Sequence, residues 1–303
     1  MHATSESIAP QTSAPAPGKR TSRRKFLRRL IGAAAVLGPG AIYATQIEPF
    51  WLDVHPVDVP ITNLPPVFEG FRIAHLTDLH AGESVPISHL RRAVDRVNQL
   101  APDCVVVTGD LVTHDPDWIE PISQVLSTLR APVYVTFGNH DYDPTGAMPG
   151  PITTIADPLE KSLTRMGCTV LRNRSIALTR NSQRLWLVGL EDLYTTRFLP
   201  LLAFKDVPNG EPRICLSHNP DGTKELLPHK PDLILSGHTH GGQVRLPFWG
   251  AIILPTSDKH LDEGRFVLPY GQLYVSRGVG FLARIRFDCR PEIPVFRLTR
   301  ATA

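Results

Sequence analysis

Five short motifs carry the residues of this chain that are best suited to chemistry. They are Asp78-Leu-His80, Gly109-Asp110, Gly138-Asn-His-Asp141, Ser217-His218-Asn219 and Gly237-His-Thr-His-Gly241. Together they supply three carboxylates and five of the chain's twelve histidines. Carboxylate oxygens and imidazole nitrogens are the ligands that hard and borderline divalent ions prefer. The five motifs therefore predict a two-metal hydrolytic site.

Each motif follows a short apolar run that is typical of a buried strand. The predicted strands are Phe71–Leu76, Cys104–Thr108, Val133–Phe137, Arg213–Leu216 and Asp232–Ser236. Open α/β sheets place their ligands at strand ends, so we expect the motifs to meet there. Taken alone, Asp-x-His is a weak signal and Asp110 is more readily explained as a turn residue. Five histidines in separate turns are harder to explain as core packing.

The remaining pattern predicts one α/β domain over residues 46–303. Helices are predicted at Leu90–Leu100, Trp118–Leu129 and Pro151–Met166, each with apolar residues at helical spacing. Thr169–Thr179 and Arg184–Leu190 are predicted as two strands joined by a turn at Asn181-Ser182, and Val244–Leu298 is strand-rich. We expect two packed β-sheets with helices outside them.

Residues 1–45 differ from the rest in composition. Residues 1–18 are rich in Ser, Thr, Ala and Pro and are predicted to be disordered. Seven of the 32 basic residues lie between Lys19 and Arg29, which leaves 25 basic against 28 acidic residues elsewhere once Glu6 is also set aside. The domain is therefore slightly acidic, and nothing predicts a stable nucleic-acid partner.

This basic segment continues into an apolar one, in the order of a secretory signal. Ser22-Arg-Arg-Lys-Phe-Leu27 resembles the twin-arginine (Tat) export signal of bacteria, and Leu30–Ala44 would be its hydrophobic region. The Tat machinery is thus a predicted partner, and the protein is expected in the periplasm or on the outer face of the cytoplasmic membrane. An amphipathic helix lying on a membrane is the alternative. Cleavage of the leader and its retention as an anchor both stay open, although Pro39 interrupts a short apolar stretch.

The order and spacing of the five motifs resemble the calcineurin-like metallophosphoesterase superfamily. Later segments, including Tyr274–Gly280 and Ile285-Arg-Phe, sharpen the resemblance to its YkuE/YaeI-type branch of exported or membrane-associated phosphodiesterases. The resemblance implies a four-layer αββα sandwich. It also implies that Asp78, His80 and His240 hold one metal ion, that Asn139, His218 and His238 hold a second, and that Asp110 bridges both. His140 would then be the catalytic histidine, and Asp141 could hold its tautomer.

The function that the resemblance implies is metal-dependent hydrolysis of a phosphoester, most readily a phosphodiester, with two Mn, Fe or Zn ions. A lipid-linked substrate is open, and hydrolysis of UDP-diacylglucosamine in lipid A synthesis is an alternative activity. A metal-binding interaction scaffold without catalysis is an alternative of another class, disfavoured because every ligand and His140 are present. No motif identifies substrate-binding residues.

Other polar and apolar residues are given simpler assignments. His75 is predicted to be a core or edge histidine, and His114, His229 and His260 are predicted to lie on the surface. Arg277 could contact substrate or form a structural ion pair. Phe248, Trp249 and Ile252–Leu254 could contact an acyl chain or belong to the core. The four cysteines show no metal-binding spacing, and no disulfide is predicted.

Overall fold

The computed structural model describes residues 38–142 and 155–301. The chain divides into Met1–Ala41 and Ile42–Ala303, and the description that follows concerns the second unit. The predicted disordered segment and the twin-arginine motif lie outside the described residues. Within the described ranges, no helix combines the length and hydropathy needed to cross a membrane.

A six-stranded mixed sheet carries three of the five motifs. Its strands are β1 (Asp53–Ile61), β2 (Arg72–Leu76), β3 (Cys104–Thr108), β4 (Val133–Thr136), β5 (Thr169–Val170) and β14 (Glu292–Arg300). The spatial order is β1-β14-β2-β3-β4-β5, and every neighbouring pair is parallel except β14 with β2. Because β2, β3 and β4 run in the same direction, their carboxyl ends lie along one edge.

A second six-stranded mixed sheet carries the other two motifs. Its strands are β6 (Arg174–Arg180), β7 (Gln183–Gly189), β8 (Arg213–Leu216), β9 (Leu233–Ser236), β12 (Gly264–Leu268) and β13 (Gly271–Val275). The order is β12-β13-β9-β8-β7-β6, with the four central strands parallel. A separate two-stranded hairpin is formed by β10 (Arg245–Leu246) and β11 (Gly250–Ala251).

Alternation along the strands packs the two sheets face to face. Ile73 and Val106 point into the layer between the sheets, whereas Ala74 and Val107 point to the opposite face of the first sheet. That outer face is covered by helices α1 (Ile87–Leu100), α2 (Ile119–Leu126) and α3 (Ala156–Arg165). The outer face of the second sheet is covered more thinly, by short elements that include α4 (Pro200–Ala203). The predicted α/β sandwich is therefore confirmed.

Single-turn helices complete the described part of the domain. Tyr43–Ile47 is a π-helix, and the 3-10 helices are Glu48–Phe50, Pro66–Phe68, Pro116–Trp118, Asn139–Asp141, Pro220–Lys224, Leu227–His229 and His240–Gly242.

Helix α1 illustrates why the helical predictions succeed. Leu90, Ala93, Val94 and Val97 are buried along one face, and the helix ends where Ala101 adopts a left-handed conformation before Pro102. The third helix is described from Ala156, so the predicted start at Pro151 lies outside the described residues.

The predicted strand Thr169–Thr179 is wrong as a single element. The structure divides it into β5, in the first sheet, and β6, at the edge of the second. The chain crosses between the sheets at Asn173, which adopts a φ of 48°. Its side-chain Nδ2 donates to the carbonyl of Arg197 at 2.6 Å, and its Oδ1 accepts from the backbone amide of Glu191 at 3.3 Å. The predicted turn at Asn181-Ser182 is confirmed, with both residues at positive φ as a tight hairpin requires.

Candidate metal centre

The carboxyl ends of five parallel strands meet where the two sheets face each other. The first sheet brings Asp78, His80, Asp110 and Asn139 to this point, and the second brings His218, His238 and His240. Hydrogen bonds cross between the sheets. His218 Nδ1 lies 2.7 Å from the carbonyl of Thr108, and the backbone amide of His238 donates to Asp78 at 3.0 Å. The motifs are thus assembled by sheet packing and not by any local element.

One group of possible metal ligands consists of Asp78, His80 and His240, all buried. The Nε2 atoms of His80 and His240 lie 3.0 Å apart, and His240 Nε2 lies 3.3 Å from Asp78 Oδ1. Two imidazole nitrogens and a carboxylate oxygen therefore converge on one small volume.

A second buried group consists of Asp110, His218 and His238. His218 and His238 each place one ring nitrogen against a backbone carbonyl, of Thr108 at 2.7 Å and of Pro255 at 3.2 Å. Because a carbonyl only accepts, these contacts assign the ring proton to Nδ1 of His218 and Nε2 of His238. The other nitrogen of the His238 ring keeps its lone pair for a metal ion. Although burial by itself lowers the pKa of His218, the Asp110 carboxylate raises it well above its usual range, so a metal ion would displace the proton on Nε2. Nearby, Asn139 Oδ1 is buried with no hydrogen-bond partner.

The Asp110 carboxylate faces both groups. Its Oδ2 lies 3.2 Å from His218 Nε2 and 3.5 Å from His80 Nε2, and its Oδ1 accepts a hydrogen bond from the backbone amide of His140 at 3.0 Å. One oxygen thus contacts a ligand histidine of each group.

Five of the candidate ligands adopt backbone conformations that non-glycine residues rarely use. Positive φ angles occur at Asp78 (52°), His80 (47°), Asp110 (53°), His238 (70°) and His240 (51°). Each costs on the order of 1 kcal/mol for a residue with a Cβ. These turns break the strict alternation of side chains along a strand. Asp78 and His80 can therefore lie in the same group, whereas His238 and His240 lie in different groups. Backbone strain concentrated at these positions is typical of functional sites.

Burial and neighbouring charges set the protonation states of the candidate ligands. It lowers the pKa of His80 and His240 well below the usual range and lowers that of His238 to about 4, so these rings are neutral. Burial also raises the pKa of Asp78 to about 7. Although burial by itself raises the pKa of Asp110, the neighbouring imidazoles, His218 foremost, lower it well below its usual range. The neutral rings of His80, His238 and His240, a deprotonated Asp110 and the unpartnered Asn139 oxygen fit two divalent ions.

His140 and Asp141 follow the candidate ligand Asn139 in a short turn, and Asp141 has other partners than the expected one. Its carboxylate accepts hydrogen bonds from the backbone amides of Leu111 at 2.9 Å, Val112 at 3.2 Å and Gly138 at 2.9 Å. Nδ1 of His140 is buried without a partner. The expectation that Asp141 holds the His140 tautomer is therefore wrong; three amides converge on this carboxylate, which ties the ends of β3 and β4 together.

His114 is the residue beside His140, and sequence reasoning missed it. Its ring centroid lies 4.0 Å from that of His140 with an interplanar angle of 30°, and its Nδ1 is buried without a partner. The predicted surface position of His114 is wrong, because its ring packs against that of His140 and its Nδ1 is buried. The one available signal was that His114 follows Asp110 by four residues in the same loop.

Asp192 is a second buried group near the site that no motif indicated. It follows β7, its Oδ2 has no hydrogen-bond partner, and burial raises its pKa to about 6.

The other histidines have varied surroundings. His75 is buried against Thr108 as expected, and His260 is exposed as expected, whereas His229 is half-buried with its ring stacked 4.5 Å from that of Phe204.

The segment Ser276–Gly280 supports the first ligand group from behind. The backbone amide of Val279 donates to the carbonyl of Thr77, and that of Gly280 donates to the backbone carbonyl of Asp78 at 2.7 Å. Arg286 is fully buried and donates to the carbonyls of Arg277 at 2.7 Å and Gly280 at 2.6 Å. Arg277 itself is paired with Asp53 and Glu292, each at 2.9 Å, which favours its structural role.

Comparison with known proteins agrees with this geometry. Residues 71–242 match the calcineurin-like phosphoesterase family. The chain is 34% identical to phosphodiesterase YaeI of Escherichia coli over 91% of this chain and 99% of that protein. It is 32% identical to the uncharacterized metallophosphoesterase YkuE of Bacillus subtilis over 92% and 98%, respectively. It is 31% identical to UDP-2,3-diacylglucosamine pyrophosphatase LpxG of Chlamydia trachomatis over 84% and 92%.

The strand ends lie so close together that we expect position 109 to require glycine. It has a φ of 85°, and a Cβ there would lie 2.7 Å from Gly138 Cα and 2.8 Å from His218 Nδ1. Gly210 has a nearly equal φ of 83° with nothing within 4 Å of a Cβ. We expect Gly210→Ala to lower the free energy of unfolding by about 1 kcal/mol, from backbone strain alone. Gly109→Ala should lower it by roughly 3 kcal/mol, because steric overlap adds to the strain.

Denaturant unfolding at one fixed metal concentration measures both changes, and metal analysis of the two purified variants accompanies it. Gly109→Ala should also reduce the bound metal, whereas Gly210→Ala should not. Equal losses of stability in the two variants would contradict the inferred packing at the strand ends.

Proposed function

The chain belongs to the calcineurin-like metallophosphoesterase family and is a metal-dependent phosphoester hydrolase, and we propose that it cleaves phosphodiesters at a two-metal site on the outer side of the cytoplasmic membrane. The observation that carries the assignment of the site is the position of Asp110. Its Oδ2 contacts His80 of one ligand group and His218 of the other. Such a shared carboxylate is the feature that distinguishes a binuclear centre from two separate metal sites.

The proposed ligands follow from the two groups. Asp78, His80 and His240 hold one ion, and Asn139, His218 and His238 hold the other, with Asp110 shared. When bound, the two ions supply Lewis-acid stabilisation of a phosphoryl group and an activated nucleophile. The protein's own contribution is a rigid, buried set of donors whose backbone turns are already made.

His140 lies next to this set without belonging to either group. Its ring lies 4.9 Å from that of His80, edge to face, and its backbone amide is held by Asp110. Burial lowers the pKa of His140, so the ring is neutral near pH 7. A neutral imidazole offers one N–H to a phosphoryl or leaving oxygen, and we assign His140 the role of stabilising negative charge there.

The proposed location and metal rest on the sequence. The leader resembles a twin-arginine signal, a route that carries folded proteins, so the metal ions would be loaded before export. Loading inside the cell permits Mn or Fe to be bound despite the higher affinity of such sites for Zn. The Tat machinery is accordingly the proposed partner in export.

A lipid-linked pyrophosphate is the second candidate substrate. Two observations favour it. LpxG, which is named as a UDP-2,3-diacylglucosamine pyrophosphatase, is 31% identical to this chain. Exposed apolar side chains also lie on the hairpin that leads away from the metal centre. Direct comparison of bis(p-nitrophenyl) phosphate with UDP-diacylglucosamine as substrates distinguishes the two candidates.

Removal of the metal ions should stop hydrolysis, whereas removal of the His140 side chain should slow it while the metal ions stay bound. We expect bis(p-nitrophenyl) phosphate to be cleaved in the presence of Mn, and chelation to stop the reaction and lower the melting temperature. His140→Ala should lower kcat by about 10²–10³-fold, because one charge-stabilising donor is lost while the ligands remain. Asp110→Ala should lose more activity than any other single ligand variant, together with bound metal.

The matched control is His260→Ala, which removes an exposed histidine outside both groups. Wild-type activity in the presence of chelator, or in His140→Ala, would contradict the proposed site. Metal analysis of protein purified without added metal tests the choice of ion. A preparation that holds mostly Zn with full activity would exclude Mn and Fe as the native metals.

His114 should act on the reaction through His140. We expect His114→Ala to lower kcat about tenfold with unchanged metal content, because the stacked ring no longer orients His140. His229→Ala, which removes a histidine stacked on Phe204, is the control. In the double variant His114→Ala/His140→Ala, activity should equal that of His140→Ala alone. A further tenfold loss in the double variant would show that His114 acts independently.

Export should depend on one arginine pair and not on its neighbour. In a bacterium with the twin-arginine route, Arg23→Lys/Arg24→Lys should leave the protein in the cytoplasm, because the two residues form the recognised motif. Arg28→Lys/Arg29→Lys, a matched pair in the same leader, should be exported. Protease accessibility in spheroplasts measures the location, and equal export of both variants would refute the proposed route.

A further inference from the structure

The hairpin β10–β11 and the residues that follow it expose an unusual set of apolar side chains. Phe248 is 106% exposed, Trp249 86% and Ile253 75%, with Leu246 and Ile252 also exposed. We call these five residues the hairpin apolar face. Phe248, at the tip of the hairpin, has a φ of 69°. The sequence left open whether most of these residues belong to the core, and the structure excludes the core for Phe248, Trp249, Ile252 and Ile253.

Both ends of this hairpin are attached to the metal centre. The hairpin begins directly after the His240 turn, and Arg245 Nη1 donates a hydrogen bond to the carbonyl of Gly241 there, at 3.1 Å. It returns at Pro255, whose carbonyl lies 3.2 Å from His238 Nε2 and accepts from the Tyr194 hydroxyl at 2.9 Å. A surface that seats the hairpin would therefore lie beside the phosphoester site.

Hydrogen bonds connect the N-terminal end of the domain to the segment Arg284–Phe287, and connect that segment to the base of the hairpin. The amide of Arg286 donates to the carbonyl of Ala44 at 2.8 Å, and Arg284 donates to Gln46 at 2.6 Å. The segment that contains Arg284 and Arg286 is in turn bonded to the base of the hairpin, where the backbone amide of Arg245 donates to the carbonyl of Phe287 at 2.9 Å. The chain thus enters the domain beside the hairpin, at the end of the apolar stretch Leu30–Ala44.

Exposed apolar and cationic side chains also lie on the segments that these hydrogen bonds join. Ile47, Leu282 and Ile285 are exposed, as is Arg284 between the last two. Trp51 is half exposed, with the Arg290 guanidinium 4.9 Å from its ring centroid. Aromatic rings beside arginines suit the boundary between lipid headgroups and acyl chains.

We infer that the hairpin apolar face seats on the surface of a phospholipid bilayer, with Phe248 and Trp249 inserted among the lipids and the metal centre facing the headgroups. The near-complete exposure of Phe248 and Trp249 at the hairpin tip suits insertion into a fluid surface. Stable attachment to a membrane takes two signals, and the apolar stretch Leu30–Ala44, if it is retained as an anchor, would supply the other. The consequence for substrate choice, that phosphoesters at a bilayer surface are favoured, rests on the proposed hydrolysis; the seating itself does not.

Quenching of Trp249 fluorescence by brominated lipids tests the seating in the full chain. The vesicles contain phosphatidylcholine and phosphatidylglycerol with brominated acyl chains. We expect wild-type fluorescence to be quenched and the quenched fraction to fall at least twofold in Trp249→Phe. This readout reports the position of residue 249 even when the leader alone holds the protein on the vesicle. Equal quenching in wild type and Trp249→Phe would overturn the inference.

A pair of double variants gives the second measurement. Phe248→Ser/Trp249→Ser should weaken vesicle binding by tenfold or more. Leu201→Ser/Val267→Ser removes two side chains that are 80% and 85% exposed elsewhere, and it should bind as wild type does. Hydrolysis of soluble bis(p-nitrophenyl) phosphate should stay within twofold in both. Equal vesicle binding by the two double variants would overturn the inference.

Two further outcomes are informative. Loss of self-association in the hairpin variant, with no quenching in wild type, would assign the face to a second copy of the chain and overturn the bilayer. Quenching at residue 249 in a protein that proves inactive toward every phosphoester would refute the proposed function and leave the seating intact.

Discussion

The Asp110 carboxylate is the point on which the rest of the structure depends. It is buried at the end of β3, and its Oδ2 faces imidazoles from both sheets, at 3.5 Å from His80 and 3.2 Å from His218. A buried carboxylate is stable only when charges or donors surround it. The two sheets must therefore pack with their strand ends in register around this one side chain. The glycines at those ends follow from the same constraint, because a Cβ on Gly109 or Gly138 would occupy the space that the crossing strands need.

Strained backbone conformations, and the contacts that hold them, surround the Asp110 carboxylate. Five ligand residues adopt positive φ angles, and backbone amides and buried side chains from distant segments hold them. Asp141 receives three amides, and Arg286 fixes the segment that donates to Asp78. Conformations that cost free energy locally are retained because long-range contacts leave the chain no alternative. A site arranged in this way is ready for its ions before they bind, so little reorganisation accompanies loading.

The candidate metal centre lies near the point where the chain enters the domain and near the hairpin apolar face. The chain enters the domain at Ala44 beside Arg286, whose side chain supports the first ligand group, and the hairpin apolar face departs from the turn that contains His240. Ligand turns, chain entry and exposed aromatic residues are thus linked by a few hydrogen bonds. This continuity is why the proposed seat on a bilayer and the proposed phosphodiester chemistry concern one face of the molecule, although each is tested separately.

Local patterns in the sequence determined the donor types, the strands that precede them and the family, since apolar periodicity and ligand chemistry are properties of short segments. Family resemblance also implied that His238 and His240 serve different ions, and the structure places them in different groups. Only the tertiary structure decided where β5 ends and β6 begins, what Asp141 binds, that His114 stacks on His140, and that Phe248 and Trp249 are exposed. Each of these depends on the direction of a side chain after a left-handed turn or on a contact across the sheets. Such contacts join residues far apart in the chain, so no window of sequence contains the distances that decide them.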